Sequence, residues 1–154
     1  MEIDDIINQK VVEFQQKLID KSDVEKKLFH YNSVLNISKR IVLYQDEKAN
    51  LLKEKLLYYF DELDEINYTI DNRIESLSLQ KLIEPIVEYL IKKEQFCTNG
   101  DLHILIVIGL VIDIGLYYFI SPYYYPLFIL LFFIWGLYRR RKAKKEGKYA
   151  AMFW

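Results

Sequence analysis

Over roughly the first hundred positions apolar residues recur at the three-and-four spacing of an α-helix. They then crowd into two dense runs between Leu102 and Tyr138. The first pattern predicts amphipathic helices that bury one stripe, and the second predicts helices apolar all round. The chain is therefore expected to be all-α, a helical, coiled-coil-like arm followed by a two-helix transmembrane hairpin. The boundaries read as residues 1–94 for the arm, 95–101 for a linker and 102–138 for the hairpin, with spans at 102–120 and 123–138. Residues 139–154 form a basic tail.

Within the arm, Ile3, Ile7, Val11, Phe14 and Leu18 make one stripe over Ile3–Ile19. Ser22-Asp23-Val24-Glu25 has the form of a capping box, so a second helix is expected to start at Asp23. From Val24 a 4,3 spacing runs to Ile70, and Leu28, Leu35, Val42, Ala49, Leu56, Leu63 and Ile70 keep one half of it apolar throughout. Such a row reads as a seam between helices, with Leu28, Leu35, Val42, Leu56, Leu63 and Ile70 as an oligomer seam. A second stripe, Ile37, Ile41, Tyr44, Leu51 and Tyr58, calls for a partner on another side.

No glycine precedes Gly100 and no proline precedes Pro85. The reading favoured is one long helix over Asp23–Asp71, about 73 Å if unbroken, packed on the first helix and on copies of itself. His30–Ser33 and Asn67–Asn72 are the places where it would fold back. Ser76–Lys93 reads as a third helical piece, with Leu79, Leu82, Ile83, Ile86 and Leu90 on one face. Pro85 is tolerated there in a first turn and otherwise kinks the piece.

Leu102–Ile120 spans roughly 28 Å as a helix, one hydrocarbon thickness. Its thirteen Leu, Ile, Val and Phe residues, at about −0.3 to −0.6 kcal/mol each, outweigh a central Asp113 at about +2.5 to +3.5 kcal/mol. Ser121-Pro122 breaks the run, and the second run to Tyr138 is short for a span. Tyr117, Tyr118 and Tyr123–Tyr125 form one aromatic belt, Trp135 and Tyr138 the other.

Charge is divided along the chain. Residues 1–101 carry 14 Lys/Arg against 20 Asp/Glu, residues 102–138 carry Asp113 alone, and residues 139–154 carry seven Lys/Arg against Glu146. The cations flank the apolar runs on one side, while Ser121–Tyr125 has none. The positive-inside rule then puts both termini in the cytoplasm or a matrix-equivalent compartment of an integral membrane protein that is not secreted. The acidic N-terminus has no signal-peptide h-region. Arg139, Arg140, Arg141, Lys142, Lys144 and Lys145 are placed at lipid headgroups, with anionic lipids as partners and nucleic acid not expected.

Catalytic motifs are missing. There is no phosphate-binding glycine loop and no Gly-x-Ser-x-Gly elbow, and with one cysteine, Cys97, and two histidines no metal or cofactor is expected. The acidic run Asp61-Glu62-Leu63-Asp64-Glu65 reads as a solvated helix face. Asp113 stands out, because an ionisable group at bilayer depth must face protein or water. It reads either as hydrogen-bonding glue between helices or as the lining of an ion path. Gly109, Gly115 and Gly136 are candidate positions for close helix packing.

The order of coiled coil, span, short connection and span resembles the pore subunit of the mitochondrial calcium uniporter in layout alone. That family's acidic pair in the connection is replaced here by Ser121-Pro122-Tyr123-Tyr124-Tyr125-Pro126, and no family is assigned. The function expected is not enzymatic. It is that of a membrane-anchored helical scaffold or assembly subunit, oligomerising through its arm or joining a helical membrane complex. The alternatives are a small oligomeric channel or pore-forming effector using Asp113, and a membrane-shaping hairpin.

Overall fold

The computed structural model describes residues 2–65, 73–120 and 125–151, with the backbone alone for 73–78 and Ile120. Ile70, the Asn67–Asn72 turn and the Ser121–Tyr124 connection lie outside the described residues. The described chain is mostly α-helical and falls into two units, Met1–Phe96 and Cys97–Trp154.

The first unit contains α1 (Ile3–Leu18), α2 (Asp23–Leu28), α3 (Tyr31–Ile41), α4 (Glu47–Glu65) and α5 (Arg73–Glu94). The capping box forms as the sequence predicts. Ser22 Oγ accepts from the Glu25 N–H at 3.3 Å, and the Glu25 carboxylate accepts from the Ser22 N–H at 2.9 Å. Each bond satisfies a donor that the first turn leaves without a helical partner.

The single long helix over Asp23–Asp71 is not what forms; the described part of that range is three helices. His30 takes a left-handed φ of 49°, which ends α2 and redirects the chain into α3. After Ile41 the helix stops again, and Asp46 starts α4 by accepting the Ala49 N–H on Oδ1 at 2.9 Å. The physical reason lies in the two apolar stripes. A straight helix would leave one of them wet, whereas folding back lets α3 and α4 each bury its own face.

The phase of burial changes at those breaks. In α4 the predicted row Ala49, Leu52, Leu56, Tyr59 and Leu63 is buried. In α3 the buried face is Val34, Ile37 and Ile41, while Leu28, Leu35 and Val42 of the expected seam stay partly exposed. Leu51 and Tyr58 of the second stripe are exposed. Leu56 and Leu63, at 0% and 1% exposure, are therefore used inside one chain.

α1 lays Ile7, Val11, Phe14 and Leu18 against α3 and α4, with the Phe14 ring 5.7 Å from Tyr31 and 5.8 Å from Phe60. α5 closes the other side of α3 and α4 with Leu79, Ile83, Ile86, Val87, Tyr89 and Leu90. Pro85 sits inside α5 rather than in its first turn. The helix continues there without the N–H that would bond the carbonyl one turn earlier.

Ion pairs tie the first helix down. Lys53 is fully buried and reaches Asp4 at 2.7 Å and Gln45 at 3.3 Å. The acidic run is not merely solvated. Asp64 meets Lys17 at 2.5 Å and Lys10 at 3.1 Å, and Asp61 meets Lys10 at 2.9 Å. Burial pushes the Asp64 carboxyl up, but bonds to Lys17 and Lys10 outweigh it and hold the group below its usual range. The Tyr89 hydroxyl, with the Ala49 N–H, holds Asp46 low too.

A carboxyl whose folded pKa is depressed stabilises the fold above its unfolded pKa, and that stability is lost as pH falls through the folded value. The arm's thermal midpoint, followed by circular dichroism, is expected to be level near neutrality and to fall below about pH 4. Replacing Lys10 and Lys17 together by Gln is expected to lower the neutral-pH midpoint and flatten the acid limb. A difference between wild type and this variant that stays constant down to about pH 2 would exclude the assignment.

The second unit holds β1 (Cys97–Thr98), α6 (Asn99–Ile120), α7 (Phe128–Lys145) and β2 (Tyr149–Ala150). α6 and α7 pack antiparallel, with Gly109 beside Ile129 and Gly136 beside Leu102 and Leu105. β1 and β2 pair in parallel, Cys97 with Tyr149 and Thr98 with Ala150.

Two differences from the expected boundaries follow. The linker over 95–101 is shorter, because Asp101 accepts the Thr98 N–H at 3.0 Å and starts α6 at Asn99. Within the basic tail, the residues to Lys145 continue α7. Gly147, at φ 67°, then ends the helix in a Schellman turn, in which the Lys148 N–H donates to the Ala143 carbonyl at 2.8 Å.

Among the described residues one helix, α6, is long and apolar enough to cross a membrane, over Asn99–Phe119. The apolar part of α7, from Phe128 to Tyr138, covers about 16 Å at helical rise, short of a hydrocarbon thickness. The second expected span therefore does not stand as a helix of its own.

Candidate functional site

α7 begins beside the one charged residue of the apolar region. Asp113 is 6% exposed, and its two carboxylate oxygens accept the backbone N–H groups of Phe128 at 3.1 Å and Ile129 at 2.8 Å. These are the first two donors of α7, which have no partner within the helix. Leu127, at the N-cap position, supplies no side-chain bond, and Pro126 before it has no N–H to give. A side chain from the neighbouring helix does the capping.

The arrangement solves two problems together. A carboxylate out of water is costly, and so are unpaired amides. At a helix N-terminus the backbone dipoles favour a negative charge, so each group satisfies the other. Asp113 thus bonds across the α6–α7 interface to backbone donors of α7.

The glycines divide. An added Cβ at Gly109 would lie 2.8 Å from the Ile129 Cα and 3.0 Å from its nitrogen, so the backbones of α6 and α7 touch there. Gly109 sits one turn before Asp113 and sets the helix separation at which the carboxylate reaches its donors. Gly136 faces the side-chain ends of Leu102 and Leu105 at 2.6 Å and 3.2 Å. Gly115 meets nothing within 4 Å among the described residues, so the close approach expected there is not seen among them.

Gly109→Ala is expected to destabilise the hairpin by about 1–3 kcal/mol through overpacking against backbone. Gly115→Ala is expected to be neutral or to gain up to about 1 kcal/mol from helix propensity. Unfolding of the full chain in detergent micelles, followed by circular dichroism, measures both. Equal effects at the two glycines would contradict the register.

The opposite end of the hairpin is clasped. Asn99 Oδ1 accepts from Arg140 Nη2 at 3.1 Å and from the Tyr149 hydroxyl. The Tyr149 ring lies under two cations, the Arg140 guanidinium at 5.3 Å and Lys144 Nζ at 4.9 Å. Arg139 lines a small cleft with Cys97, Thr98, Asp101 and Leu102. Cys97 is a buried free thiol, and burial pushes its pKa up despite the nearby Arg139. Arg141, Lys142 and Lys145 are exposed, and Lys142 stands 3.9 Å from Glu146. His103 is exposed.

Of the positions singled out in the sequence, Asp113, Gly109 and Gly136 meet α7 or α6 in this register, and Gly115 does not. Leu56 and Leu63 belong to the core of the other unit. Sequence reading missed Asn99, Tyr149 and the Thr98–Asp101 cap. The cap carried a readable signal, Thr98-Asn99-Gly100-Asp101 ahead of an apolar run. Asn99 and Tyr149 carried none, since 50 residues separate them. The chain matches no protein-family model, no curated protein and no solved structure.

Proposed function

We propose that this protein is a membrane-anchored helical scaffold. The second unit is its anchor, and the acidic helical arm is displayed at one membrane face. The observation that carries the reading is the outward surface of α6. Only 17% of its apolar span is buried, and Ile104, Val107, Ile108, Val111 and Ile114 face away from α7. A core helix of a water-soluble domain would cover most of such a span.

The Asp113 cap supports the same reading. Asp113 lies roughly 18 Å along α6 from Asp101, so with Asp101 at the surface, α7 starts inside the hydrocarbon. A helix can begin there only where its free donors are satisfied. In this reading α7 then returns to the face from which α6 set out. The clasp between β1 and β2 supports both ends of the hairpin lying on one side. The arm precedes α6 in the sequence, so on this reading it lies on the side from which α6 enters.

A water-lined path along Asp113 is disfavoured by the two backbone donors its carboxylate holds. Because Leu56 and Leu63 are consumed within the arm, assembly with copies or other partners uses surfaces outside that row.

Cysteine labelling tests the topology. In a Cys97→Ala background, Asp20→Cys and Glu146→Cys are expected to react with a membrane-impermeant maleimide from the same side. Tyr125→Cys is expected to be protected on that side. Labelling of Asp20→Cys and Glu146→Cys from opposite sides, or release of the full chain by alkaline carbonate, would refute the anchor.

A further inference from the structure

On α7, the face away from α6 carries one continuous stripe. Leu127, Leu131, Ile134, Tyr138, Arg141 and Lys145 follow at spacings of four, three, four, three and four, which keeps them on one side of a helix. All six are exposed, Leu131 at 59%, Ile134 at 56% and Tyr138 at 65% among them. The opposite face carries Ile129 and Gly136, which meet α6, and the buried Ala143.

From Leu127 the stripe is aliphatic for about 10 Å to Ile134. It then presents a phenol, and then two guanidinium or ammonium groups. That is the profile of a phospholipid read from acyl chain through interface to phosphate. Arg141 and Lys145 have no ion-pair or hydrogen-bond partner among the described residues. Their neighbours are committed elsewhere: Arg140 to Asn99, Lys144 to the Tyr149 ring and Lys142 toward Glu146.

We propose that this stripe is a binding site for one anionic phospholipid. An acyl chain lies along Leu131 and Ile134, the glycerol region sits at the Tyr138 hydroxyl, and the phosphate lies between Arg141 and Lys145. A zwitterionic lipid offers the same phosphate but carries its own cation beside it, so the two free side chains favour a headgroup with net negative charge. The inference rests on the membrane-anchor reading and adds a named partner to it. At about 1 kcal/mol per basic residue near a membrane surface, two residues give up to about 30-fold enrichment of anionic over zwitterionic lipid, since 1.4 kcal/mol is tenfold.

Trp135 follows Ile134 in the sequence, is half exposed, and reports the local lipid. The full chain with Trp154→Phe is reconstituted in phosphatidylcholine bilayers containing a minor fraction of either dibrominated phosphatidylglycerol or dibrominated phosphatidylcholine. Quenching of Trp135 by the brominated phosphatidylglycerol is expected to exceed that by the brominated phosphatidylcholine several-fold at equal mole fraction. The excess is expected to vanish in Arg141→Gln/Lys145→Gln and to persist in Lys92→Gln/Lys148→Gln, which removes the same charge elsewhere. Equal quenching by the two lipids in wild type would overturn the site. Equal loss in both double variants would also overturn it, leaving only diffuse surface charge. Absence of quenching by either lipid would overturn the membrane anchor together with the site.

Discussion

Asp113→Leu is expected to destabilise the hairpin by roughly 2–6 kcal/mol, because two buried donors at the start of α7 each lose a partner worth about 1–3 kcal/mol when left unsatisfied. A polar side-chain bond between membrane helices averages only about 0.6 kcal/mol, since the separated helices find other partners. Backbone amides at a helix start have fewer alternatives. Asp113→Asn keeps one acceptor oxygen of nearly the same placement and loses the charge at the positive end of α7. Its stability is expected to fall between those of wild type and Asp113→Leu. Titration of the full chain with SDS from mild micelles, followed by circular dichroism, gives the order. If Asp113→Leu unfolds at the wild-type midpoint, the cap does not hold the hairpin together.

The other large effect is in the arm. Leu56 is fully buried in α4 among residues of the same chain. Leu56→Asp removes about 2–5 kcal/mol of packing, by analogy with Leu→Ala, and adds a carboxylate with no partner. A domain of this size has about 5–14 kcal/mol of stability in all. Unfolding of residues 1–96 is expected, seen as loss of ellipticity and rapid proteolysis of the arm, with the chain still resisting carbonate extraction. A seam between copies would give a different result, folded monomers that resist proteolysis as wild type does. Leu51→Asp, at an exposed position of the same helix, is the matched control and is expected to stay folded.

Much of the arm is legible in sequence where the signal is local. The stripe of α1, the Ser22–Glu25 box and the row in α4 involve residues within a few turns of each other; the first two form as read, and the third is buried, but inside one chain. The turn between α3 and α4 is different. No glycine or proline marks it, and Asp46 looks like any other surface acid until Ala49 supplies the amide it caps. The break at His30 falls in the His30–Ser33 stretch that the sequence marks as a fold-back point, and its left-handed φ is one that His adopts more readily than most residues. A sustained 4,3 row therefore read as one helix, although packing rotates the buried face between α3 and α4.

In the hairpin, composition finds the apolar runs and picks out Asp113, because a charge there is unusual. What Asp113 binds depends on the register of α6 against α7, which no local pattern encodes. Gly109 and Gly115 illustrate the limit. In sequence they are equivalent, and only the face that α7 occupies makes one a contact and leaves the other open.

The clasp also has a consequence for timing. A ribosome makes the chain from its N-terminus, so Asp113 is synthesised 15 residues before Phe128 and Cys97 more than 50 before Tyr149. At about 5–20 residues per second the acid waits roughly 1–3 s for its amides. Alone in hydrocarbon it would wait there uncompensated. On the proposed membrane-anchor reading, the order of synthesis favours holding α6 at the insertion machinery until the start of α7 arrives, with the strand at Tyr149–Ala150 pairing last.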